Sequence, residues 1–143
     1  DCLPQELSNL AWALANLKVS DANLMDAIAE QAIRKIRDFS VQHLANTVWA
    51  FATLGIHNRP LLDAIAAEAL ARIAQFEPQA LTNTVWACAT LGYRNLPLLE
   101  AIAKQALQRI SEFVPQDVGN MSWAFAKLNY LYEPLFDAFA MHA

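Results

Sequence analysis

The sequence predicts an all-α fold, a right-handed α-solenoid of tandem helix-turn-helix hairpins with a 37-residue period. Three observations predict it. Trp12, Trp49, Trp86 and Trp123 recur every 37 residues with no insertion between them, and self-similarity at a fixed period of this length marks a repeat architecture. Proline, glycine and asparagine punctuate each period near its middle and its ends, dividing it into two helices, A and B. Ala and Leu dominate and only three glycines occur (Gly55, Gly92, Gly119), a composition that favours helix.

The repeats run 4–40, 41–77, 78–114 and 115–143, the last truncated. In the first, helix A opens at Pro4, a residue suited to the first helical turn. At about 100° per residue it carries Leu7, Leu10, Ala11, Leu14 and Leu17 on one apolar stripe. It ends at Lys18, the one helix-A end without a residue that favours a left-handed cap. Helix B starts from the N-cap residue Asp21 and lines up Leu24, Ile28, Ala32, Ile36 and Phe39. In the second repeat helix A runs from Val41 to a left-handed cap at Gly55, and helix B follows Asn58 with Pro60 in its first turn. The third repeats this with Pro78, Gly92, Asn95 and Pro97, and the fourth with Pro115, Asn129 and Pro134. Tyr132 stands where the last N-cap is due, so that connection is expected to be looser. One such hairpin cannot bury its apolar faces; stacked neighbours bury a continuous core.

Composition narrows the class further. With 56 % apolar and 17 % charged residues the chain is too apolar for a disordered tail. Arg34, Lys35, Glu68, Arg72, Lys104 and Arg109 interrupt every long apolar segment, well short of the ~20 apolar residues that span a bilayer, so a soluble chain is expected. Two cysteines, Cys2 and Cys88, are too few for a disulfide scaffold or a usual metal site. Cys88 takes the place of Leu14, Phe51 and Phe125 in the other repeats and reads as a small buried hydrophobe in a reduced chain. The last repeat ends on Leu135, Phe136, Phe139 and Met141, where a terminal repeat is expected to turn polar. The expectation is one solenoid segment, 1–143, of a longer protein, so missing targeting signals carry no information.

Catalysis is not expected. His43, His57 and His142 lack ligand spacing, no paired cysteines or glycine-rich phosphate loop occur, and the acids recur at helix starts rather than converging. The chain therefore reads as a binding module without cofactor, metal or small-molecule substrate.

Three sets of residues are candidates for binding. Asn9, Asn46, Asn83 and Asn120 are identical across the repeats, as are the four tryptophans and Gln5, Gln42, Gln79 and Gln116. They lie opposite the intra-repeat stripe of helix A. They either pack between repeats, with Asn satisfying backbone groups, or offer Trp faces on which bases stack. Positions that vary between otherwise similar repeats, Glu6/His43/Ala80/Asp117 and Ser8/Ala45/Thr82/Gly119, are candidate base contacts, or else drift freely on a solvated face. Lys35, Arg72 and Arg109 share one helix-B position and are candidate phosphate contacts, a ladder stepping by roughly 10 Å per repeat; equally, cations near a helix C-terminus complement its dipole. Asp26, Asp63, Glu100 and Asp137 form a matching acidic ladder, and the net charge of −4 runs against the basic excess usual in nucleic-acid modules.

The pattern Q-x-L-x-N-T-V-W-A-x-A-T-L-G, present from Gln42 to Gly55 and from Gln79 to Gly92, resembles the octotricopeptide and heptatricopeptide repeat proteins. The first and fourth repeats depart from it at Leu10-Ala11, Met121-Ser122, Lys18 and Asn129. The resemblance implies single-stranded RNA binding (a transcript or ribosomal RNA) in chloroplasts or mitochondria, for RNA processing, stability, translation or assembly. The alternative is a protein–protein scaffold docked as a structural subunit in a large organellar complex, which the negative charge favours.

Overall fold

A computed structural model describes residues 3–142, with His142 described by its backbone only; Cys2 and the His142 side chain lie outside the described part. The fold is an all-α solenoid. The A helices are α1 (Pro4–Asn16), α3 (Val41–Thr53), α5 (Pro78–Leu91) and α7 (Pro115–Lys127). The B helices are α2 (Ala22–Arg34), α4 (Arg59–Ala71), α6 (Leu96–Gln108) and α8 (Glu133–His142). Each A helix packs on the next A helix and each B helix on the next B helix, and the two layers meet within every hairpin.

The apolar stripes account for this stacking. Leu7, Leu44 and Leu81 of the A helices and Ile28, Ile65 and Ile102 of the B helices are buried where the two layers meet. Positions that face a neighbouring repeat are buried where the described residues include that neighbour. Thr47, Thr84 and Met121 are buried, whereas Leu10 at the same position of the first repeat is 38 % exposed. Leu17 is likewise 72 % exposed while Leu91 and Leu128 are buried. Cys88 sits in the core at 2 % exposure, and burial pushes its thiol pKa up to about 12.

Two local features differ from the expected pattern. Lys18 is no exception to the left-handed cap: it takes φ 57°, beside Gly55 at 69°, Gly92 at 67° and Asn129 at 54°. All four A helices end in the same pair of bonds. Val19, Ile56, Tyr93 and Tyr130 donate N–H to the carbonyls of Leu14, Phe51, Cys88 and Phe125 at 2.8–2.9 Å, and the residue before each donates to Ala15, Ala52, Ala89 or Ala126. This is the Schellman arrangement, and the apolar contact that accompanies it is visible as Tyr130 against Phe125, ring centroids 5.6 Å apart. The closure is strong enough to hold a lysine where a Cβ is disfavoured.

The B helices also stop earlier than a continuous stripe through Phe39 would require. Each breaks at Lys35, Arg72 or Arg109 and continues as a short 3-10 turn, Ile36–Asp38, Ile73–Gln75 or Ile110–Glu112. The tighter turn reverses the chain toward the next A helix while Phe39, Phe76 and Phe113 remain buried beneath it. At the B-helix starts, Asp21, Asn58 and Asn95 accept the N–H of Leu24, Leu61 and Leu98. At α8 the Tyr132 carbonyl alone receives Leu135 and Phe136.

Candidate nucleic-acid interface

On each A helix one set of side chains faces away from the B layer, its asparagine and tryptophan more covered in the two central repeats than in the outer two. Counting from the first helical residue, it comprises positions 2, 6, 9 and 13, an i, i+4, i+7, i+11 spacing that defines a single helical face. Position 2 is Gln5, Gln42, Gln79 and Gln116, all exposed. Position 6 is the repeated asparagine, exposed in Asn9 and Asn120 and half-buried in Asn46 and Asn83. Position 9 is the tryptophan. Trp12 and Trp123 are 48 % and 47 % exposed, and Trp49 and Trp86 pack partly against the core. Position 13 is Asn16, Thr53, Thr90 and Lys127, all exposed. Within the face, the Gln42 amide donates to Asn46 Oδ1 at 2.9 Å and the Lys127 ammonium lies 5.6 Å from the Trp123 ring centroid. Trp49 and Trp86 thus pack partly inward, as the packing alternative expects, while part of each ring and more of Trp12 and Trp123 faces solvent.

The variable helix-A candidates lie elsewhere. Ser8, Ala45 and Thr82 are buried against the following repeat, where no base can reach them; Thr82 Oγ1 donates to the Pro78 carbonyl at 2.8 Å. Gly119 alone of that set is exposed. Glu6, His43, Ala80 and Asp117 occupy the first helical turn, and two of them cap it. Glu6 Oε1 accepts the Leu3 N–H at 2.9 Å. His43 Nδ1 accepts the Ser40 N–H at 3.1 Å while Ser40 Oγ accepts the His43 N–H at 3.0 Å, a reciprocal box with His in the place of Glu. Partial burial holds the His43 pKa below its usual value. Ala80 is buried and Asp117 half-buried.

The cation ladder is also committed. Arg72 Nη1 donates to the Phe39 carbonyl at 2.6 Å and Arg109 Nη1 to the Phe76 carbonyl at 2.8 Å, each reaching back across a repeat junction. Arg72 Nη2 stands 3.3 Å from Glu68 Oε2, and Arg109 forms a forked contact with Glu112 that raises its pKa. The carbonyl corresponding to Lys35 belongs to Cys2, outside the described residues. These arginines staple repeats together at the helix-A starting edge. On the opposite edge His57 Nε2 meets the Leu91 carbonyl at 2.8 Å and Arg94 Nε donates to the Leu128 carbonyl at 2.8 Å. Sequence spacing did not reveal this second set of staples, because His and Arg share a position there without sharing a type.

Charge is divided between the layers. Among the described residues only Glu6 and Asp117 are acids on an A helix, both in the first turn; the others stand on B helices or connections. Lys127 is the one cation within an A helix. The acidic ladder Asp26, Asp63, Glu100 and Asp137 is exposed on the B layer. The outward A face thus carries no acid and, apart from Lys127, is uncharged, polar and aromatic, and the acidic residues stand mostly on the B side. Among the described residues no three His, Cys, Asp or Glu side chains gather to hold a metal, and no helix is long and apolar enough to cross a membrane.

No curated protein matches the chain. Residues 4–142 match the RNA-editing substrate-binding complex 6 protein family, a span that includes all eight helices. The chain belongs to that family.

Proposed function

We propose that this chain is a single-stranded RNA-binding module of the octotricopeptide or heptatricopeptide type, working in an organellar RNA-editing assembly and without catalytic activity of its own. The observation that carries the proposal is identity without burial. Gln5, Gln42, Gln79 and Gln116 are the same residue in four repeats and exposed in all four. Recent duplication does not account for this, since Glu30, Ala67, Lys104 and Met141 share another exposed position and have diverged completely. Packing explains a repeated buried residue; a repeated exposed one fits a ligand that itself repeats, as a nucleotide strand does. The family's description as an RNA-editing substrate-binding complex protein supports the same class of ligand.

In this mechanism the exposed part of each tryptophan carries one stacked base, a contact worth about 1–3 kcal/mol per base. The Gln and Asn amides beside it offer donors and acceptors to base edges and to the ribose 2′-hydroxyl. With one cation on the A face, phosphate neutralisation contributes little.

The test is binding of fluorescent single-stranded RNA by the 143-residue chain across a salt series, beside a Gln5/Gln42/Gln79/Gln116→Ala variant. The expected result is binding whose log affinity falls with a shallow slope of roughly −0.7 to −1.4, one or two phosphates, and that the variant weakens at least tenfold with unchanged circular dichroism. Equal binding by the variant, or no binding at low salt, rejects the proposal. The exposed acidic ladder of the B layer favours a second role, as a scaffold holding a basic protein partner in the same assembly; Asp26/Asp63/Glu100→Lys should then impair assembly without touching RNA affinity.

A further inference from the structure

Of the four outward positions on the A helices, three hold one residue type in every repeat and one does not. That one is position 13, occupied by Asn16, Thr53, Thr90 and Lys127, four residues beyond each tryptophan and so one turn further along the same face. From the RNA-binding role proposed above, we infer that these four residues are the specificity-determining side chains, each selecting the base stacked on the tryptophan of its own repeat.

Reach is shown directly at one repeat. The Lys127 ammonium lies 5.6 Å from the Trp123 ring centroid, so the lysine at this position extends to the edge of a base stacked on that ring. The cation–π contact is weak at an exposed site, and an incoming base displaces it while the ammonium stays at the base's edge. At the first repeat the Asn16 amide Nδ2 donates to the Trp12 carbonyl at 2.9 Å, which leaves Oδ1 and the second Nδ2 hydrogen to meet a ligand. Of the positions that vary elsewhere on helix A, most are buried or cap the first turn; the exceptions include Leu10, which has no polar group, the half-buried Asp117 and the side-chain-free Gly119.

The chemistry at each repeat then follows from donor and acceptor inventory. Asn16, presenting an acceptor beside a donor, selects a base whose Watson–Crick edge sets an amino group beside an unprotonated ring nitrogen, adenine or cytosine. Lys127, with donors only, selects a base with acceptors on that edge, guanine or uracil. Thr53 and Thr90 are identical and share the same Gln, Asn and Trp on their face, so the two central repeats select the same base. The preferred target is a four-nucleotide pattern in which the inner two bases match and the outer two differ in donor character.

The experiment is enrichment from randomised single-stranded RNA by the full chain and by Thr90→Asn and Lys127→Thr variants, whose altered side chains are exposed. The expected wild-type motif has identical inner positions. Thr90→Asn changes one inner position to an amino-bearing base, with a selectivity change of about tenfold, and Lys127→Thr converts one outer position to the inner preference. Variants that bind as tightly with an unchanged motif overturn the inference while leaving RNA binding intact. A Lys127→Thr variant that only makes the salt slope shallower by about 0.7 makes Lys127 a phosphate contact and overturns it as well. Wild-type chain that binds no RNA overturns the inference together with the function on which it rests.

Discussion

Replacing Arg72 by methionine separates two roles open to a cation at that position, a bond to a nucleic-acid phosphate and a staple between repeats. Methionine retains most of the apolar stem and removes the guanidinium. The lost bond to the Phe39 carbonyl, 2.6 Å long, is charge-assisted and worth about 1.5–3 kcal/mol. The ion pair with Glu68 joins side chains that are each 21 % exposed and adds about 0–1 kcal/mol after screening. Together these predict a loss of about 1.5–4 kcal/mol. In urea, with a slope of about 2 kcal/mol/M for a chain of this size, the unfolding midpoint falls by roughly 1–2 M. Arg72→Lys keeps the charge without the planar fork and should recover less than half of the loss. RNA affinity of the folded variants, measured well below the transition, should stay within twofold of the parent chain. An unchanged urea midpoint accompanied by weakened RNA binding in Arg72→Met, rescued by Arg72→Lys, would refute the staple and restore the phosphate role.

The remaining predictions concern local structure. Lys18→Gly relieves a left-handed residue at a cost of about 1–2 kcal/mol against about 0.4–1 kcal/mol of added unfolded-state entropy, so it should stabilise by about 0.5–1 kcal/mol and raise the thermal midpoint by about 2 °C. Gly92→Ala, at φ 67° with open space around the added Cβ, should destabilise by about 1 kcal/mol, measured the same way. His43 has a folded-state pKa below its usual 6.5, so the unfolded chain binds the extra proton first. Stability is full above about pH 6.5 and falls as pH drops through the folded pKa, and urea midpoints at pH 7.5 and 5 should show this for the parent chain and much less for His43→Gln. The Cys88 thiol, buried with its pKa pushed up to about 12, should resist alkylation at pH 8 until urea unfolds the chain.

The stacking was legible from the sequence because its causes are local. Prolines at helix starts, Gly55 and Gly92 at helix ends and the 37-residue recurrence of tryptophan each act within a few residues of where they are written. Which face of helix A meets solvent was not legible, because two neighbours cover it: Ser8 and Leu10 stand two residues apart, yet the next repeat buries Ser8 while Leu10 is exposed. A helical wheel holds one helix and cannot distinguish these cases. The arginines misled for a related reason. Arg72 and Arg109 recur like a charged ladder, but their partners are carbonyls 33 residues earlier, a distance that only the fold makes short. Position 13 escaped notice because Asn, Thr and Lys share no character except exposure.

The staples also set how the array bends. The junction between the second and third repeats is pinned at both edges, by Arg109 on Phe76 and by His57 on Leu91. The junction before it carries the Arg72 bond to Phe39 and the Ser8 hydroxyl on the His43 carbonyl, and the junction after it carries Arg94 on Leu128. A hinge fastened along both sides resists opening in either direction. The spacing between Trp49 and Trp86 is therefore held from both edges. A strand lying along this face would find those two places already set and would spend little conformational freedom there.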